Sequence, residues 1–234
     1  MATRAFRFKK FSVEQDGAAH LVGTDAVLLG AWADTAQCAQ ILDIGTGTGV
    51  VALMLAQRSA AHITAVEIHP ASAALARANF AASPWADRFT LVESSVQDFS
   101  RQSEARFDLI VSNPPFFSET VVSPDAARRL GRHNASLPPG DLLTVAGKHL
   151  AENGRFCVVL PVAEGRRLCE LAVPAGLYCT GEVEVRSRAG KPAERLLLRF
   201  ERDPYHFVRK HLVIYGEGTA YSEEFGRWSE GFYL

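Results

Sequence analysis

The chain has 234 residues, is 47% hydrophobic and 22% charged, and carries a net charge of −1. This composition fits one globular domain and excludes a disordered chain, while the near-zero charge excludes a general polycation. The longest apolar run, residues 50–56, is far shorter than a membrane span, residues 1–16 lack the apolar stretch of an export signal, and Cys38, Cys157, Cys169 and Cys179 form no CxxC pair, so the chain reads as a cytoplasmic protein with reduced thiols rather than a zinc ribbon or disulfide scaffold.

Residues 25–32 (DAVLLGAW) are apolar enough for a short buried helix. From residue 40 onward, short apolar strands alternate with helical stretches. Strands are expected at 40–44 (QILDI), 62–67 (HITAVE), 89–93, 107–112 (FDLIVS) and 156–160 (FCVVL). Helices are expected at 48–58, where Val51, Met54 and Leu55 fall at helical spacing, at 70–82 behind Pro70, at 141–151 and at 163–173. Two β-rich runs, 178–185 and 194–201, form an antiparallel pair at the sheet edge. Apolar strands alternating with helices define an α/β fold whose largely parallel sheet is covered on both faces. Ligands of such sheets bind beyond the carboxyl ends of the strands, which brings together the loops after Ile44, Val66 and Val111.

The first of these loops is Asp43-Ile44-Gly45-Thr46-Gly47-Thr48-Gly49. Glycine at alternate positions lets the backbone turn tightly and approach a ligand. The spacing is neither the GxGxxG dinucleotide fingerprint nor a P-loop. Glu67 ends the next strand, and a carboxylate there accepts both hydroxyls of a ribose. Together they point to an adenosine-type cofactor. The loop after Val111 carries Asn113-Pro114-Pro115-Phe116. The prolines fix the chain and remove N–H donors, so the carbonyls of Asn113 and Pro114, with the Asn113 side chain, can accept from an amine. Phe116 offers a flat face for a base. A rigid turn with a core phenylalanine is the plain alternative for the tetrapeptide taken alone.

DIGTGTG, the acid at Glu67 and NPPF resemble the class I S-adenosylmethionine-dependent methyltransferases that act on amino groups. FKKF (8–11), VGTDAVLLGAW (22–32), VALMLAQR (51–58), SPWADR (83–88), FDLIVSNPPFF (107–117) and FCVVLP (156–161) extend the likeness to the bacterial tRNA(Val) adenine-N6-methyltransferases, which modify A37 beside the anticodon. The resemblance runs from about residue 6 to Tyr233. It implies a Rossmann-like class I methyltransferase with a seven-stranded, largely parallel sheet and an antiparallel edge strand. Residues 1–38 would cap the cofactor site and 39–234 would form the catalytic core. S-adenosyl-L-methionine is the implied cofactor and the tRNA anticodon loop the implied partner, with neither metal nor membrane involved. Gly45, Gly47 and Gly49 match the cofactor loop, with Asp43 and Thr46 beside them. Glu67, followed by Ile68, matches the ribose ligand, and Asn113, Pro114, Pro115 and Phe116 match the amine-binding and stacking motif. Thr24 and Asp25 match a segment lying over the cofactor. Two positions depart from the pattern. Ser95, before Val96, stands where the family usually has an acid for the cofactor adenine amine, and Leu21, after His20, stands where a lysine is common. The motif itself does not separate an adenine amine from a protein glutamine or another RNA or DNA amine, and a non-catalytic nucleotide-binding module is the reading from another class.

Charge is unevenly spread. Residues 1–12 carry four basic side chains and no acid, and 186–211 carry a net +5, which leaves the rest at −10. The two basic segments are candidates for holding an RNA backbone, as are Arg128, Arg129, Arg132 and His133; solvated faces are the plain alternative. The seven histidines have no metal-ligand spacing, and no Ser/His/Asp or Cys/His set has a recognisable context.

Overall fold

The computed structural model describes residues 5–18, 21–115 and 137–233. β1 (Phe6–Arg7) and β2 (Ser12–Val13) form a short antiparallel ladder, and α1 (Thr24–Trp32) follows. The alternating region is β3 (Gln40–Ile44), α2 (Val50–Arg58), β4 (His62–Glu67), α3 (Pro70–Ala81), β5 (Phe89–Glu93), α4 (Val96–Gln102) and β6 (Phe107–Ser112). After residue 137 come α5 (Pro139–His149), β7 (Leu150–Pro161), α6 (Val162–Ala172), β8 (Tyr178–Arg188), β9 (Arg195–Glu201), β10 (Val208–Tyr215) and α7 (Glu223–Ser229). α5 starts two residues before its expected position because Pro139, with no N–H to lose, occupies the first turn.

The main sheet has the order β10-β8-β9-β7-β6-β3-β4-β5, and every strand except β9 runs parallel to β3. The fold class is as expected, with β8 and β9 as the antiparallel pair, which lies one strand in from the edge rather than at it. The count is corrected from seven strands to eight, because β10 pairs outside β8. The residues at 208–211, which open β10, are all exposed, so this edge strand lacks the apolar alternation that announces a strand.

Each inner strand splits its side chains between two cores. Ile41, Leu109, Val111, Cys157, Val159 and Leu197 face one cluster, shared with α1, α2 and the N-terminal ladder. Leu42, Ile44, Ile110, Phe156, Val158, Leu196 and Leu198 face the other, shared with α4, α5 and α6. This two-sided burial is why the strands read as continuous apolar runs.

Cations close the helix ends away from the strands' carboxyl edge. Arg88 donates to the carbonyls of Ala56, at 2.7 Å, and Ser59, at the end of α2. Arg202 donates to Gly147 and Leu150 at the end of α5 (2.6 and 3.0 Å). Guanidinium groups there satisfy last-turn carbonyls and oppose the helix dipole. Part of the SPWADR likeness therefore has a structural basis. His149 is fully buried, with its ring nitrogens 2.8 Å from the Ala105 carbonyl and 3.0 Å from Ser100 Oγ, a core histidine.

Candidate active site

β3, β4 and β6 end at one edge of the sheet in register, with Ile44 beside Val66 and Ser112. The chain goes from β3 outward to β4 and β5 and then returns to β6 on β3's other side, so this edge is the switch point of the strand order. The Ser112 hydroxyl, fully buried, donates to the Ile44 carbonyl at 2.9 Å. That bond ties the start of Asn113-Pro114-Pro115 to the start of the glycine turn. Asn113 is half-buried, Pro114 buried and Pro115 exposed. Phe116 lies outside the described residues, as do Arg128, Arg129, Arg132 and His133.

Inside the turn, the N–H groups of Gly45 and Thr46 both reach the Val66 carbonyl (2.9 and 3.1 Å), and Gly49 N–H reaches the Thr46 carbonyl (2.8 Å). The three glycines all have positive φ but do different work. A Cβ on Gly45 (φ 71°) or Gly47 (φ 57°) would meet nothing within 4 Å, so both face open space. A Cβ on Gly49 (φ 84°) would come 2.5 Å from Phe80 Cε1. Gly49 is there for close packing of α2 against α3. Gly49→Ala should therefore cost about 2–4 kcal/mol of stability in urea unfolding, from clash plus a left-handed backbone. Gly45→Ala should cost only about 1–2 kcal/mol and show its larger effect in ligand affinity.

Glu67 is buried and bonded at both carboxylate oxygens. Oε2 accepts Gly47 N–H and Oε1 accepts His69 N–H, each at 2.8 Å, and the Glu67 main-chain carbonyl accepts Ser94 N–H at 3.0 Å. A carboxylate has about four acceptor positions, so one on each oxygen remains for a diol. Ile68 is half-buried next to it. Asp43 is buried and accepts the Thr46 hydroxyl at 2.6 Å, so these two residues brace the turn from within.

Burial pushes the Asp43 carboxyl up to about 7; the Thr46 hydrogen bond opposes the shift and the Glu67 charge adds to it. An acid whose folded pKa lies above its unfolded value of roughly 3.9 binds more protons when folded, so its stabilising contribution is complete below that value and lost as pH rises to about 7. Stability should fall over that interval, and Asp43→Asn should flatten the slope in urea titrations at stepped pH.

At the end of β5, the Ser95 hydroxyl donates to Asp98 Oδ2 (2.6 Å) and accepts Asp98 N–H (3.0 Å), capping α4. Ser95 is thus occupied as a helix cap. The N–H of Val96, in the first turn, has no partner within the helix by geometry and remains able to donate to a ligand. Thr24 opens α1 exposed, and Asp25 accepts Arg195 Nε at 2.9 Å. Arg195 pairs in register with Pro161, so Asp25 sits at the β7–β9 end of the same sheet edge. The ladder at residues 6–13 packs elsewhere: Phe11 stacks on Phe8 and meets Trp85 edge-on, and Lys9 N–H bonds the Phe232 carbonyl.

Three positioning residues escaped the sequence reading. Ser112 looks like one more strand residue. Arg195 was one charge among many. Asn79, 2% exposed, donates to the Thr48 and Glu14 carbonyls (2.9 and 3.0 Å) and accepts Glu14 N–H (2.8 Å), clasping the N-terminal segment to the glycine turn. Its signal was a buried-face asparagine in an alanine-rich helix.

Fold and site together define a class I methyltransferase of Rossmann-like architecture. Among solved structures, a predicted O-methyltransferase from Agrobacterium tumefaciens superposes with TM-score 0.67 at 18% identity over 89% of this chain and 96% of that one. The glycopeptide N-methyltransferase MtfA complexed with S-adenosyl-L-methionine superposes with TM-score 0.57 at 15% identity over 80% and 96%. The family described as Methyltransferase small domain matches residues 22–161. The tRNA1(Val) (adenine(37)-N6)-methyltransferase of Yersinia pseudotuberculosis serotype O:3 (strain YPIII) is 41% identical over 98% of this chain and 92% of its own, and that of Yersinia pestis (strain Pestoides F) is 41% identical over 98% and 93%. The chain belongs to the methyltransferase small domain family and, within it, to the family of tRNA1(Val) (adenine(37)-N6)-methyltransferases. Among the described residues, no helix is long and apolar enough to cross a membrane, and no three His, Cys, Asp or Glu side chains gather as metal ligands would.

Proposed function

We propose that the protein transfers a methyl group from S-adenosyl-L-methionine to the N6 amine of adenine 37 in the anticodon loop of valine tRNA. The observation that carries this reading is the Ser112–Ile44 bond, which sets the Asn113-Pro114-Pro115 turn, with its acceptors, against a glycine turn with open space over Gly45 and Gly47. The extent of identity to relatives named for this reaction supports the substrate.

The residues fit the cofactor. Glu67 would take the ribose hydroxyls on its two remaining acceptor positions, Gly45 and Gly47 would allow close approach, and Val96 N–H would meet the adenine ring. When bound, S-adenosyl-L-methionine supplies a methyl group that is already electrophilic. The protein's task is then positioning. The adenine amine is a poor nucleophile because its lone pair is conjugated with the ring. The Asn113 side-chain oxygen and the Pro114 carbonyl would accept its two N–H groups, draw the nitrogen toward tetrahedral geometry and aim the lone pair. The methylated amine is strongly acidic and loses its proton to water, so no dedicated base is needed. An anticodon-loop base leaves its stack more cheaply than a duplex base.

Labelled methyl transfer to valine tRNA transcripts tests the reading. A transcript with adenine at position 37 should take up label, and one with guanine there should not. Equal labelling of both would overturn the assignment.

A further inference from the structure

At the far end of the catalytic edge, Arg188 of β8 lies in register with Tyr215 of β10, which bridges to Tyr221. The Arg188 guanidinium sits 5.6 Å over the Tyr215 ring. The Tyr215 and Tyr221 rings stack at 5.6 Å and 23°, Tyr221 and Tyr233 at 6.0 Å and 13°, and Tyr233 and Phe8 at 6.3 Å and 10°. The row is anchored inside, where Phe8 is 4% exposed, and opens outward, where Tyr221 is 51% exposed. Arg188 is exposed as well, yet held: its two terminal nitrogens donate to the carbonyls of Gly216 (3.1 Å) and Gly218 (2.6 Å). Three of its five N–H groups remain. Exposed Lys191 follows Gly190 (φ 80°) in the turn between β8 and β9.

Such a row suits RNA. Arginine planes and tyrosine rings stack on unpaired bases, and arginine and lysine pair with phosphates. The charge agrees, since Arg188 and Lys191 are both exposed cations at this edge. Position agrees too. β8 and β10 run parallel to β6, so Arg188 and Tyr215 reach the edge that carries Asn113. β10 stands four strand spacings from β6, roughly 19 Å at the usual separation of strands. At about 3.4 Å of rise per stacked nucleotide, this is five or six nucleotides along a strand.

We propose that Arg188, Tyr215, Tyr221 and Lys191 form a second contact surface for the RNA substrate, gripping nucleotides five or six positions from the target adenine. The inference rests on the functional reading above and adds a length requirement. An RNA of three or four nucleotides around the adenine cannot reach this surface; an anticodon stem-loop can.

The test is steady-state methyl transfer by the full chain to a valine anticodon stem-loop and to a tetranucleotide, with anisotropy of labelled stem-loop RNA as a binding readout independent of turnover. For Tyr221→Ala the expected result is a rise of about tenfold in KM and Kd for the stem-loop, with kcat unchanged and tetranucleotide kinetics unaltered. Tyr221→Phe, which keeps the ring, should restore wild-type KM. Lys191→Ala, at an exposed turn that folding does not need, should lower the slope of log affinity against log salt by about 0.7 to 0.9. Wild-type KM in both alanine variants overturns the inference while leaving the reaction intact. An equal loss on stem-loop and tetranucleotide also overturns it, because it marks a general disturbance. Absence of transfer to tRNA by the wild-type protein brings down the functional reading, and the inference with it.

Discussion

Replacing Asn113 with alanine is expected to lower kcat by about 10³-fold or more, while the Kd for S-adenosyl-L-methionine stays within about twofold. Asn113 stands at the end of β6, beyond the Ser112 bond to Ile44, and the proposed reading gives it the amine side of the site and Glu67 the ribose side. On that reading, removing it deletes one of the two acceptors that would aim the lone pair and leaves the glycine turn intact. Asn113→Asp keeps an acceptor oxygen at the same place and should retain measurable turnover. Single-turnover methyl transfer and calorimetric titration with the cofactor check both halves. Joint loss of turnover and cofactor affinity would make Asn113 a structural residue.

The second large effect is expected at Glu67. Its carboxylate holds the N–H groups of Gly47 and His69 and has two acceptor positions left, which on the proposed reading would take the ribose. Hydrogen bonds to a charged group contribute about 1.5–3 kcal/mol each. Loss of two through Glu67→Ala should raise the cofactor Kd by about 10²-fold or more. The part-buried N–H groups of Gly47 and His69 also lose their acceptor, so thermal unfolding should shift downward even without ligand. Glu67→Gln keeps one acceptor oxygen and should fall between wild type and Glu67→Ala in titration. Wild-type cofactor affinity in Glu67→Ala would remove the residue from the ribose site.

The centre of the fold was readable because its strands are buried on both faces. QILDI, HITAVE and FDLIVS appear as strands at their expected limits, since largely apolar runs bounded by turns have few other solutions. The periphery was less readable. β10 begins with Val208, Arg209, Lys210 and His211 exposed at the sheet edge, and α4 buries only Val96, Phe99 and Ser100 of its seven residues, so neither has a marked period. The site divides along the same line. Gly45, Gly47, Glu67 and Asn113 stand out because their residue types are unusual after a strand. Their supports do not: Ser112 acts through one hydroxyl and Asn79 through contacts to residues 31 and 65 positions away. Gly49 matched a ligand motif, yet in the structure it makes room for Phe80, because a glycine's role depends on what faces its missing Cβ.

The most direct test of the central claim is nucleoside mass spectrometry of valine tRNA purified from a strain lacking this gene, alone and complemented with the wild-type or Asn113→Ala protein. The account predicts unmodified adenosine at position 37 in the deletion strain, N6-methyladenosine restored by the wild-type protein, and no restoration by Asn113→Ala. N6-methyladenosine persisting at that position in the deletion strain, or restored equally by both proteins, would contradict it.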